Sequence, residues 1–439
     1  MKNVDFSKYE AVLKKEYIKK LGRVSQVVGL TIESSGPDVN IGSTCIIRGG
    51  KDRKNVMAEV VGFKDSNILL MPLGHMQGVG PGSLVESCHK PISIQVSEHL
   101  LGRVLDGLGQ PIDGKGTLPQ GESFYVTNPP PHPLQRSRIK ESLSLGVKAI
   151  DGLLTIGRGQ RVGIFAGSGV GKSTLLGMMA RNTSAEINVI ALVGERGREV
   201  REFIEKDLGE EGLKRSVLVV ATSDQPALLR LKAAEVATSI AEYFRSKGKD
   251  VLLLMDSLTR YAMAQREVGL ATGEPPVSKG YTPSVFATLP KLLERAGTSD
   301  KGSITGLYTV LVDGDDFTEP VTDTARGILD GHIVLSRKIA NRNHYPAIDV
   351  LASVSRVMPD IATDEHKANA NLIKKSMAVY ADAEDLINIG AYVKGSNPDI
   401  DDAMDKHGPI NEFLVQAVNE KIAFKDSMET MEKIIKPQG

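Results

Sequence analysis

The sequence has no tryptophan, two cysteines, no long apolar run and no net charge. Each absence excludes something. Cys45 and Cys88 stand without metal-ligand spacing, so two buried thiols in a reducing compartment are expected. The core-like runs Val189–Val193, Val217–Ala221 and Val251–Met255 fall far short of the ~20 residues that a spanning helix needs. The opening MKNVDFSKYEAVLKKEY carries charges throughout and no apolar centre, unlike a signal peptide. A soluble chain is expected, one that could still dock on a membrane. Lys plus Arg and Asp plus Glu both number 54, so bulk charge points to no nucleic-acid or acidic partner.

What is present is an ordinary globular composition, 41% hydrophobic over 439 residues, long enough for two to four domains. Four zones separate. In residues 1–20, Tyr9, Val12, Leu13 and Tyr17 fall at helical spacing with lysines on the other face, which predicts a basic amphipathic helix. Residues 21–91 are short β-branched runs punctuated by glycine, such as GSTCIIRGG, the rhythm of a small β-barrel. VLDGLGQPIDGKG and NPPPHPLQR read as linkers. Within a third zone, 92–362, Arg161–Ala166, Ile187–Gly194, Ser216–Ser223, Val251–Ser257, Ile304–Val312 and Ile333–Ser336 each read as a buried strand. Helical patterns lie between several of them, which predicts an α/β domain with a parallel sheet covered on both faces. In the last zone, 363–439, Ile410, Phe413, Leu414, Ala417, Val418 and Ile422 form one stripe of a predicted helical domain.

The strongest chemical signal is RVGIFAGSGVGKSTLLG, a strand, a glycine-rich turn and a helix. It matches G-x-x-x-x-G-K-[ST] with Ala166 in place of the first glycine. Gly167, Ser168, Gly169, Val170 and Gly171 let backbone N–H groups curl around phosphate oxygens. Lys172 reaches the β and γ phosphates, Ser173 offers a hydroxyl to Mg²⁺, and Thr174 continues the helix. This is the pattern of an ATP or GTP site. VLLLMDSLTRYA ends an apolar strand on Asp256, the expected Mg-associated acid. VIALVGERGREV places Glu195 past a third strand, among Arg196, Arg198, Glu199 and Arg201. In parallel α/β sheets the strand C-termini converge on the ligand crevice, where a carboxylate can polarise water for attack on a γ-phosphate.

With these motifs in order, nearly the whole chain resembles the RecA-like α/β family of rotary ATP synthase subunits, which includes the ATPases of flagellar and type III protein export. PAIDVLASVS, Pro346 to Ser355, fits the family signature P-[SAP]-[LIV]-[DNH]-x-x-x-S-x-S. GEPPVSKGYTPSVFATLPKLLERAG, IFAGSGVGKSTLLGMMAR and GSNPDIDDAMDKHGPINEFLVQ look closest to the export branch, and within it to the flagellar enzyme, with the virulence enzymes near neighbours. The resemblance implies a RecA-like core between the barrel and the helical domain, and a ring, expected to be a homohexamer, that binds Mg-ATP at subunit boundaries. It matches Glu195 to the catalytic glutamate, Arg196 and Arg260 to positions on the phosphates, and Glu199 to one holding a magnesium-bound water. Arg356 matches an arginine that reaches into the neighbour's site. Tyr345 matches a ring stacked on adenine, with Tyr380 either on the opposite face of the base or in the core.

Further partners are implied by the same resemblance: a central coiled-coil stalk protein, a membrane export gate, substrate–chaperone complexes, and a stator-like regulator on residues 1–20. That helix could instead lie on anionic lipid or pack on the barrel. The implied location is cytoplasmic, peripheral to the inner membrane at the export apparatus. The rival readings are a catalytic subunit of a rotary synthase, a nucleotide-binding subunit that does not hydrolyse, and a nucleic-acid translocase like the termination factor Rho. The last needs stacking aromatics and a basic groove. Residues 21–95 hold one aromatic, Phe63, and nearly balanced charge, so no nucleic-acid partner is expected.

Overall fold

The computed structural model describes residues 20–49, 54–88, 90–312 and 317–436. Residues 1–19, and with them the expected N-terminal helix, lie outside the described residues. The chain divides into two compact units. One runs to Ile92 and includes Leu270–Glu274; the other comprises Ser93–Gly269 and Pro275–Gly439.

The first unit is a closed antiparallel barrel of six strands. Leu21–Val28 is followed around the barrel by Thr31–Ser35, Asn67–Pro72, Val56–Lys64, Thr44–Ile47 and Leu84–Ser87, which pairs back onto the first. Val24, Ile32, Cys45, Ile47, Ala58, Val60, Leu70 and Val85 fill the interior. Closure leaves no unpaired edge among these strands. Cys45 is a packed interior residue whose thiol burial pushes up to about 11.

The second unit is built on a nine-stranded sheet. Across it lie Ile348–Ser355, Gly331–Leu335, Arg161–Ala166, Ser303–Leu311, Asp250–Asp256, Ile187–Val193, Ser216–Ala221 and Val104–Asp106. Gly297–Thr298 pairs beside Ser303–Leu311. All six expected strands are present and mutually parallel. Their near-continuous apolar character follows from burial on both faces, with helices such as Ala227–Ser246 covering the sheet. Two pairings differ from the sequence reading. Val104–Asp106, inside an expected linker, is an edge strand parallel to Ser216–Ala221, held by burial of Val104 and Leu105 and by the Arg103–Asp113 ion pair next to it. Ile348–Ser355 is the single main-path strand running antiparallel, against Gly331–Leu335.

The C-terminal segment forms the helices Asp364–Asn388, Pro398–Leu414 and Phe424–Ile435. Ile373, Ile410, Phe413 and Met431 share one core with Ile150 and Leu153 of the helix Lys148–Leu153. Gly152 has to be small there: a Cβ would lie 2.7 Å from Met431 Sδ and 2.9 Å from the Phe413 ring. The expected stripe from Ile410 to Ile422 breaks after Leu414, where the helix ends. The reason is Gln416, whose backbone N–H donates to the Tyr345 carbonyl at 3.0 Å. Its side chain accepts from Lys148 N at 2.9 Å and donates to Gly146 O at 2.9 Å. A buried glutamine with three core bonds outweighs one more helical turn, and Val418 is left 42% exposed.

Asp151 sits at the root of this packing. Its carboxylate accepts from Ser144 Oγ at 2.6 Å, Leu145 N at 2.9 Å and Gly146 N at 3.0 Å. Burial nevertheless pushes the carboxyl up to about 6, against the lowering effect of those bonds. Between about 4, the unfolded value, and about 6, the native state holds a proton that the unfolded chain has released. Stability therefore falls as pH rises through that window, by about 3 kcal/mol in total. Asp151→Asn is expected to flatten this part of the profile, read as thermal midpoints of both proteins from pH 4 to 7. A variant that keeps the slope would assign it to another group.

Candidate functional site

The loop from Gly167 to Gly171 connects the buried strand Arg161–Ala166 to the helix Lys172–Asn182. Gly169 and Gly171 have φ of +79° and +86°, a region costly for residues with a Cβ. Val170 is buried and anchors the loop to the core. Gly171 caps the helix without a side chain, so the first-turn amides remain for an anion. The Ser173 side chain is exposed, and its hydroxyl has no partner among the described residues; Thr174 hydrogen-bonds to Asp207.

Lys172 points from the helix start into a pair of acids. Its Nζ donates to Asp256 Oδ1 and lies 3.7 Å from Glu195 Oε1. Asp256, at the C-terminus of Asp250–Asp256, also accepts from Thr309 Oγ1 at 2.7 Å. Burial alone would lower the lysine, but the Asp256 and Glu195 carboxylates outweigh it, and the net shift is upward. Glu195 is pushed up to about 7 by burial and then by the Asp256 charge, with Lys172 pulling the other way. A carboxyl poised near neutrality can take or orient a proton of water. Its backbone is fixed by Ser223 N, which donates to Glu195 O at 3.0 Å.

The neighbouring charged groups are looser. Glu199 lies within hydrogen-bonding reach of Glu195, and its Oε1 is 3.7 Å from Arg196 Nη1. Arg196 is 78% exposed. Arg260 packs its stem on Gly194, whose φ of +72° turns the chain after the Glu195 strand; a Cβ there would meet Arg260 Cβ at 2.9 Å. Arg260 Nε is buried with no hydrogen-bond partner among the described residues, an unspent donor beside the site.

The aromatic and arginine candidates part company. The Tyr345 ring lies over Gly171, 3.4 Å from where a Cβ would stand, which puts it at the phosphate loop. Tyr380 stacks on His407 at 3.6 Å between ring centroids, in a cavity of about 480 Å³ lined by His344, Ile348, Met377, Glu384 and Leu414. The pairing of the helices Asp364–Asn388 and Pro398–Leu414 turns it toward His407. Arg356 is exposed at the other end of the sheet. Register makes this plain: Ile348 pairs Leu335, which pairs Ala166 at the loop end, whereas Ser355 pairs Gly331 at the opposite end. The eight strand residues between Tyr345 and Arg356 span about 26 Å.

Thr309 was not among the sequence candidates. The signal for it is a hydroxyl residue within the apolar strand Ser303–Leu311, where Thr305 and Thr309 are both buried. Among the described residues no group of three or more His, Cys, Asp or Glu converges as a metal cage.

The family model for the ATP synthase alpha/beta family, nucleotide-binding domain, matches residues 146–355, and the beta-barrel domain of that family matches 24–89. The T3SS EscN ATPase C-terminal domain matches 362–433. The flagellum-specific ATP synthase of Bacillus subtilis strain 168 is 57% identical over 94% of this chain and 94% of its own. The assembled ATPase EscN of the enteropathogenic E. coli type III secretion system is 46% identical, with a TM-score of 0.90 over 94% of this chain and all of that one. EscN in complex with its central stalk EscO superposes with a TM-score of 0.88, at 46% identity and the same coverage.

Because the chain has no tryptophan, single insertions report cleanly. Tyr345→Trp is expected to change its emission on titration with ATP, and Tyr380→Trp to stay constant. The reverse result would move the base to the His407 cavity.

Proposed function

The chain belongs to the ATP synthase alpha/beta family and is an ATPase of its export branch; from that premise we propose that it energises flagellar protein export as a ring of identical chains. The observation that carries this reading is the placement of Tyr345 and Arg356 at opposite ends of one strand. An arginine about 26 Å from its own phosphate loop serves another chain's site. The flagellar assignment draws on the Bacillus relative, and a virulence-type export ATPase is the neighbouring alternative. A catalytic subunit of a rotary synthase is disfavoured by the match of residues 362–433 to the T3SS EscN ATPase C-terminal domain.

In this reading ATP lies on the loop Gly167–Gly171 with its base on Tyr345. Lys172 leaves its carboxylate partners for the β and γ phosphates. The donor set suits Mg²⁺: Ser173 and Asp256 would supply hard oxygen ligands, and Glu199 a further one through water. Bound there, Mg²⁺ supplies charge neutralisation on the phosphates. Glu195 orients a water toward the γ-phosphorus and accepts its proton as the new P–O bond forms and the bond to the β-phosphate oxygen breaks. Arg196 and Arg260 hold phosphate oxygens, and Arg356 of the adjacent chain stabilises the transferring group.

EscN was solved assembled and with a central stalk. A homohexamer around a coiled-coil stalk is accordingly our proposal here. The regulator on residues 1–20, the export gate, substrate–chaperone complexes and contact with anionic lipid belong to the same reading, as does a cytoplasmic location against the inner membrane. No helix among the described residues is long and apolar enough to cross a membrane.

ATPase rate per chain is expected to climb with protein concentration in Mg²⁺. Arg356→Ala should flatten that curve and lower the plateau by about 10³-fold or more while nucleotide binding persists. Glu195→Gln should bind ATP without turning it over. Concentration-independent activity that survives Arg356→Ala would end the trans-arginine reading.

A further inference from the structure

Among the described residues the Arg356 guanidinium makes one hydrogen bond, 3.4 Å from Nη2 to the Arg326 carbonyl, and no ion pair. Its position is therefore set through its backbone. Arg356 N donates to Asp330 O at 3.0 Å, and the preceding Ser355 hydroxyl donates to Thr155 O at 2.8 Å.

Both anchors meet on one side chain. Gln160 is completely buried. Its Nε2 donates to Asp330 O at 3.0 Å and to Ser355 Oγ at 3.1 Å, and its Oε1 accepts from Gly157 N at 2.8 Å. Closing the turn Gly157–Gln160 requires the oxygen alone. The amide hydrogens reach across two other segments, to the two groups that flank Arg356. Asp330 is fixed from the same root, because Arg161 donates to its carboxylate through N, Nε and Nη2 at 3.0–3.1 Å. Arg161 opens the strand that ends at Ala166 and enters the phosphate loop.

We propose that Gln160 is the positioning residue for Arg356, tying the arginine that serves a neighbouring chain to the root of the strand carrying this chain's own phosphate loop. The inference rests on the trans-arginine reading. A strand in a packed sheet transmits displacement as a rigid element. Occupancy at one loop is thereby communicated to the arginine of the adjacent site by the short path Ala166–Arg161–Asp330–Arg356, with Gln160 as its clasp.

Gln160→Met keeps the volume and removes all three bonds. It is expected to lower kcat about 10²-fold, the cost of an ångström-scale misplacement, with KM for Mg-ATP and nucleotide affinity unchanged. The diagnostic readout is complementation. A Gln160→Met chain keeps its own site and lacks a placed arginine, whereas a Glu195→Gln chain lacks turnover and keeps the arginine. Mixed together, the two should exceed either alone, and Gln160→Met mixed with Arg356→Ala should show no gain. Arg356→Ala with Glu195→Gln is the control. If the control gains and the Gln160→Met mixture does not, Gln160 is structural only and the proposal falls. If the control shows no gain, the trans-arginine reading fails first. Should Gln160→Met not fold, Ser355→Ala tests the same clasp with the same expected outcomes.

Discussion

The two ends of a parallel sheet are chemically unlike, and the placement of every functional group in the larger unit depends on that polarity. At the strand C-termini the chain turns into helices whose N-termini face the crevice, so that end collects anions and the groups that act on them. Gly167–Ser173, Glu195 and Asp256 all leave strands there. The antiparallel strand Ile348–Ser355 then does what no parallel strand could. It begins at the crevice, next to Tyr345, and delivers its last residues to the opposite end.

Within the crevice the main electrostatic fact is a buried lysine compensated by two carboxylates. Burial disfavours the Lys172 charge, and the Asp256 and Glu195 carboxylates outweigh that effect. Both carboxylates stand at C-terminal ends of strands, beside the glycine-rich loop. Thr309 adds a neutral donor to the same cluster, its hydroxyl bonding Asp256 Oδ1.

Much of this is legible in the residues alone. Buried parallel strands advertise themselves as apolar runs, and the phosphate loop is a local motif whose chemistry follows from glycine conformations and a helix start. The misses have a common cause. Ala417, Val418 and Ile422 continue a helical stripe on paper, but Gln416 finds better hydrogen bonds across the core than within another turn. Val104–Asp106 is short and flanked by glycine, so only its partner strand identifies it. In each case a bond to a residue far along the chain overrides a local preference.

The sequence by itself determined the elements and the reactive groups: the loop, the strand-end acids, the barrel rhythm, the arginine that closes PAIDVLASVSR. These are set by contacts within a few residues, where composition and spacing are sufficient. Tertiary structure alone decided direction and distance. Whether Arg356 faces its own phosphate loop or another chain's depends on the sense in which one edge strand pairs with Gly331–Leu335, and on the bonds through Gln160 and Asp330 that hold its end. The Gln160 bonds join residues 170 to 195 apart, which no local pattern encodes.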